Sequence, residues 1–109
     1  MTAQTTTAWP TNVFARYLTV AGSSLGRDDL AVDLTHRLTI HNPPEPFATL
    51  ATCTGCQATE EVGHWRSRFA FPGAMEEVHD PETADKRARE WAQEHAETCR
   101  AMPRPEAAR

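Results

Sequence analysis

Apolar and polar residues change rhythm several times along this chain. Over residues 12–22, NVFARYLTVAG, they alternate. Phe14, Arg16, Leu18 and Val20 fall on one side, and Val13, Ala15, Tyr17 and Thr19 on the other. A period of two with β-branched content predicts a strand, ended by a loop over GSSLGRDD. The run LAVDLTHRLTI, 30–40, is ambiguous. His36–Ile40 reads as a strand, which Val32–Thr35 extends. HNPPEP, 41–46, carries three prolines and excludes regular pairing. FATLATC, 47–53, predicts a further strand that runs into Cys53. The chain turns at CTGC and returns through QATEEVGHWRSRFAF, 57–71. There Trp65, Ser67, Phe69 and Phe71 share one face, and His64, Arg66, Arg68 and Ala70 the other. PGAMEEVHD, 72–80, reads as a loop.

The rhythm then lengthens to that of a helix. Asp80 suits the N-cap, Pro81 the first helical position and Glu82 the first turn, where the dipole favours an anion. No breaker follows until Pro103. Glu82 and Lys86, and Glu90 and Glu94, are spaced one turn apart, so the outer face is charged. Ala84, Ala88, Trp91, Ala92, His95 and Cys99 form one stripe at helical spacing. The whole pattern predicts an α+β fold, with a small antiparallel sheet and one long C-terminal helix across it. One domain is expected over 12–102, between polar tails at 1–11 and 103–109.

Composition adds a constraint. In 109 residues with 39% hydrophobic and 7% aromatic content, the core is thin, and a metal or an oligomer is the expected supplement. The net charge of -4 lacks the basic footprint of a general nucleic-acid binder. No apolar run approaches the roughly 18 residues that span a bilayer. The N-terminus has neither the basic nor the apolar part of a secretory signal, so a cytoplasmic setting with reduced thiols is expected. Three cysteines cannot all pair within one chain. Lys86 is the only lysine and Ile40 the only isoleucine, a usage that suits a GC-rich genome such as an actinobacterium's.

The chemistry concentrates in the cysteines. Cys53 and Cys56 bracket a turn, and His95 and Cys99 stand one helical turn apart, pointing the same way. Together they form a set of three thiols and one imidazole, the ligand type of a closed structural zinc site. The intervening 38 residues exceed the dozen or so of a compact finger, so an enlarged version is expected, in which Zn2+ clips the helix to the hairpin turn. Two other readings stay open for Cys53 and Cys56: buried thiols packed as small apolar groups, or a redox pair. His64 or His79 could replace His95 as the fourth ligand. His36 and His41 look unconnected to any cluster, and Trp65 and Trp91 read as core aromatics. The segment HWRSRF, 64–69, interleaves Arg66 and Arg68 with Trp65, a pattern that serves nucleic-acid contact. It equally serves an amphipathic strand with Trp65 and Phe69 inward.

At CTGCQATEE, 53–61, and EWAQEHAETC, 90–99, the chain resembles small zinc-finger-like proteins of streptomycetes and their mobile elements. Those show a strand leading into a C-x2-C turn, an acidic segment, and a helix of the type W-A-x-x-H. The resemblance covers the second half of the chain and implies a metal-stabilised fold. It carries neither the N-terminal strands nor Cys99.

No nucleophile–base pair, phosphate-cradling glycine loop or carboxylate dyad is present in the sequence, so a non-enzymatic role is expected, without a small-molecule substrate or a membrane. The leading expectation is an interaction module for a protein partner. A nucleic-acid-binding accessory factor and a thiol redox- or metal-responsive switch are the alternatives.

Overall fold

A computed structural model of the chain describes residues 9–102. Residues 1–8 and 103–109 of the two expected tails lie outside the described residues. The element order is β1 (Val13–Leu18), α1 (Val20–Leu25), β2 (Ala31–Leu38), β3 (Pro46–Cys53), β4 (Thr59–Gly63), β5 (Trp65–Phe71), β6 (Ala74–His79) and α2 (Pro81–Thr98). The fold is α+β, with antiparallel sheets and a long C-terminal helix. Strands β1-β2-β3-β4 form one sheet in chain order, and β5-β6 form a separate two-stranded ribbon. The N-terminal strands therefore belong to the same sheet as the cysteine turn. No described helix is long and apolar enough to cross a membrane.

Three local expectations are corrected. The strand over 12–22 stops at Leu18, because Thr19 caps a short helix. Its side chain accepts from the Gly22 N–H, and Gly26 closes the helix in the left-handed conformation. A Cβ at Gly22 would lie 2.5 Å from the Leu30 carbonyl oxygen, so only glycine lets the two segments meet this closely. The return through 57–71 splits into two strands of different sheets, parted at His64. Within the loop expected at 72–80, Ala74–His79 is a strand paired with β5 across a turn at Gly73, whose φ is +82°.

Helix α2 covers one face of the four-stranded sheet. Pairing places Val32 opposite Cys53, Leu34 opposite Ala51 and His36 opposite Thr49. The period of two puts all six on one face. Against them α2 presents Ala84, Ala88, Ala92 and Ala96, all buried. These small side chains let the helix lie close, and the core is Ala15, Val32, Leu34, Ala51 and Cys53 against Ala88, Ala92, Ala96 and Cys99. Trp91 is not in that row as expected. It sits half-buried at the edge. On the opposite face of the sheet Arg16 and Asp33, directly opposite each other on β1 and β2, form a two-point ion pair at 2.5 and 2.8 Å.

The start of α2 is fixed as the sequence predicts. The Asp80 carboxylate accepts from the Thr83 N–H at 3.2 Å, from its hydroxyl at 2.7 Å and from the Arg66 guanidinium at 2.8 Å. The Thr83 hydroxyl, then Arg66 and the Thr83 amide, hold the carboxyl down at about 2. A depressed carboxyl contributes stability above its unfolded value near 4 and loses it as the pH falls toward 2. Asp80→Asn, which keeps an oxygen for the cap but removes the charge, should melt a few degrees below wild type at pH 6. Thermal melts should show the gap closing between about pH 4 and pH 2.

Candidate metal centre

The cysteine turn is built by backbone bonds. The Gln57 N–H donates to the Cys53 carbonyl and the Cys53 N–H to the Ala58 carbonyl, both at 2.9 Å. Gln57 takes up the reversal with a φ of +70°. Thr54 pins the turn to the start of β2. Its hydroxyl donates to the Asp29 carbonyl and accepts from the Ala31 N–H, and its own N–H donates to the Ala31 carbonyl. On the other side, Cys99 ends α2 with its N–H still donating to the His95 carbonyl at 2.8 Å. Its carbonyl accepts from the Ala21 N–H at 3.3 Å, which ties α1 to the same corner.

This construction brings Cys53, Cys56, His95 and Cys99 together, with one ligand atom from each lying within 4.8 Å of all the others. The Cys53 and Cys99 sulfurs are 3.7 Å apart, and the Cys56 sulfur is 3.2 Å from His95 Nε2. A disulfide needs about 2.05 Å. Two thiolates on one tetrahedral zinc stand roughly 3.7–3.8 Å apart, from Zn–S bonds of about 2.3 Å. The sulfur pair thus has the spacing of co-ligands. Cys53 and Cys99 are buried, Cys56 is exposed and His95 half-buried. Trp91 stacks on the His95 ring at 4.8 Å between centroids and 11° between planes, which sets the ring's orientation from the solvent side.

The thiols differ electrostatically. Burial pushes Cys53 up to about 11, against the pull of the Cys56 and Gly55 backbone N–H groups. Burial also acts upward on Cys56, but the Ala58 backbone and the neighbouring thiols outweigh it and bring that group below its ordinary value. Backbone N–H groups aimed at both sulfurs are the donors a thiolate needs. A metal must displace protons here, so its affinity falls as the pH falls.

His64 and His79 do not join this cluster. His64 is 2% exposed and lies with His36 and Asp85, at the other end of α2. His36 is therefore not isolated: its Nε2 is 3.0 Å from Asp85 Oδ1. Spacing could not reveal this group, because its members come from β2, the β4–β5 junction and α2. The residues considered for nucleic-acid contact lie on the ribbon. Trp65 is 56% exposed rather than a core aromatic. Arg66 is paired with Asp80, and Arg68 with Glu76 across the ribbon. No protein-family model, curated protein or solved structure matches the chain.

Gly55 offers a test of the centre that spares every ligand. A Cβ there would lie 2.5 Å from the Ala101 carbonyl oxygen, a backbone atom that cannot rotate away. Gly55→Ala should push the turn off the segment after α2 and weaken Co2+ binding at least tenfold in a competition titration. Unchanged affinity would show that this segment does not position the thiols.

Proposed function

We propose that the protein is a small zinc-stabilised interaction module that binds a protein partner. The convergence of Cys53, Cys56, His95 and Cys99 from a hairpin turn and a helix end carries the metal half of this reading. Three thiols and one imidazole favour zinc over oxygen-loving divalent ions. Four protein ligands fill a tetrahedron and leave no position for a substrate. The cysteine centre therefore holds structure, in the manner of an enlarged zinc finger, and performs no reaction. Because a binding free energy realised only in the folded chain is folding free energy, the ion supplements the thin alanine core.

The partner half rests on the ribbon. Trp65, Phe69, Phe71 and Met75 are each 56–65% exposed, and pairing sets Phe69 directly opposite Met75. Aromatic and methionine side chains gathered on one projecting element mark an interaction surface. Arg66 and Arg68, each neutralised by a carboxylate, offer little free charge to a phosphate backbone. That balance favours a protein partner over nucleic acid.

Elemental analysis of untagged protein tests the first half. About one zinc should resist dialysis per wild-type chain, and Cys56→Ser or Cys99→Ser should lose it and lower the melting temperature. Wild type whose thiols stay unligated and whose stability ignores a chelator would overturn the zinc reading. For the second half, Trp65→Ser with Phe69→Ser should leave metal content and melting temperature near wild type yet abolish capture of a partner from a native extract. If partners retained by wild type also persist on this variant, the ribbon is not the surface.

A further inference from the structure

The interface between α2 and the sheet ends in polar groups on both sides. At the end away from the cysteines, His36 of β2, Thr49 of β3, His64 and Asp85 of α2 converge. Their contacts meet on one atom. Asp85 Oδ1 lies 3.0 Å from His36 Nε2, 2.5 Å from the Thr49 hydroxyl and 4.0 Å from His64 Nε2. The Thr49 hydroxyl also lies 2.8 Å from His64 Nε2.

We infer that His36, His64 and Asp85 form a second metal site, taking a divalent transition ion of the zinc or iron(II) type. One ligand atom of each lies within 4.8 Å of the other two. Two imidazoles and one carboxylate are a recurrent donor set for such ions, and three protein ligands leave coordination positions open. The Asp85 separations, 3.0 and 4.0 Å, bracket the roughly 3.0–3.4 Å between neighbouring ligands bound at about 2.1 Å.

The hydrogen bonding around His64 leaves one ring nitrogen without a partner among the described residues. Where Thr49 donates to Asp85, its oxygen accepts from His64, which places the ring proton on Nε2. Nδ1 is then a bare acceptor, and it is buried without a hydrogen-bond partner. An ion at Nε2 moves the proton to Nδ1, where the nearby Pro46 backbone favours it. The ligands are also fixed in orientation. Phe14 stacks on His36 at 4.4 Å, and the His36 and His64 rings meet edge-on at 5.4 Å.

The site opens to solvent on the side of His36 and Asp85, whose side chains stay 33% and 30% exposed, while His64 is buried behind them. This site is independent of the cysteine centre in its ligands and in its expected spectrum.

Titration of the full-length reduced apoprotein with Co2+ tests the inference, read by absorption and by elemental analysis after gel filtration. Wild type should bind two ions, only one of which shows intense thiolate-to-cobalt charge transfer. Asp85→Asn keeps the size and hydrogen-bonding reach of the side chain, and His36→Gln removes a half-exposed ring. Each should weaken the second ion at least about 100-fold, beyond the usual effect of an outer-shell change, with the thiolate band intact. Cys56→Ser should do the converse, so failure at one centre is distinguishable from failure at the other. A single ion per wild-type chain, carrying the thiolate band, would overturn the inference. So would two ions whose affinities ignore both Asp85→Asn and His36→Gln, or a loss of melting temperature in these variants with no change in metal binding.

Discussion

The register between β2 and β3 is the constraint on which the rest depends. It stacks Val32 with Cys53, Leu34 with Ala51 and His36 with Thr49 on a single face. A slip of one residue would turn the three of one strand to the other side of the sheet from the three of its neighbour. With the register as it is, one strand pair carries a thiol at one end, aliphatic groups in the middle and an imidazole with a hydroxyl at the other. Helix α2 answers in the same order, with Cys99 and His95, then alanines, then Asp85. The fold thus places two polar clusters along a single apolar seam, and neither depends on a long loop to bring it together.

The seam is thin. Its helix side is alanine, and its largest fully buried apolar side chains are Leu34 and Val32. Alanine permits close approach but removes little apolar area from water, at about 25 cal/mol per Å². The polar ends consequently matter more to the placement of α2 than they would in a leucine-rich interface. A terminal cap at Asp80, the Thr49–Asp85 hydrogen bond and the thiol–imidazole group all act on the same helix. Between them they specify its position along the sheet, which a uniform row of small residues specifies weakly.

What could be read from the sequence was local. Asp80-Pro81 marks the start of α2, and a spacing of four fixes His95 beside Cys99 through the helical period alone. The turn after Cys53 follows from the strand that enters it. The misreadings have equally local causes. VAGSSL has poor helix propensity, and only the Thr19 cap and the left-handed Gly26 reveal a helix there. AMEEVH looks like loop because its pairing faces solvent on both sides. The grouping of His36, His64 and Asp85 was not legible at all. It is set by sheet register and by where the helix lands, and no periodicity within one segment encodes it.

The ribbon is rooted where these features meet. The Asp80 N–H donates to the His64 carbonyl at 2.6 Å, and the His64 N–H donates to the Phe47 carbonyl at 2.9 Å. Its outgoing strand therefore begins at a residue of the second cluster, and its returning strand ends at the cap of α2. The ribbon makes its main contacts within itself, so it behaves as a lever with a narrow fulcrum. A load applied to it would reach His64 through one strand and the first turn of the helix through the other. The base of the ribbon and the base of the helix thus share one set of backbone hydrogen bonds, at His64 and Asp80.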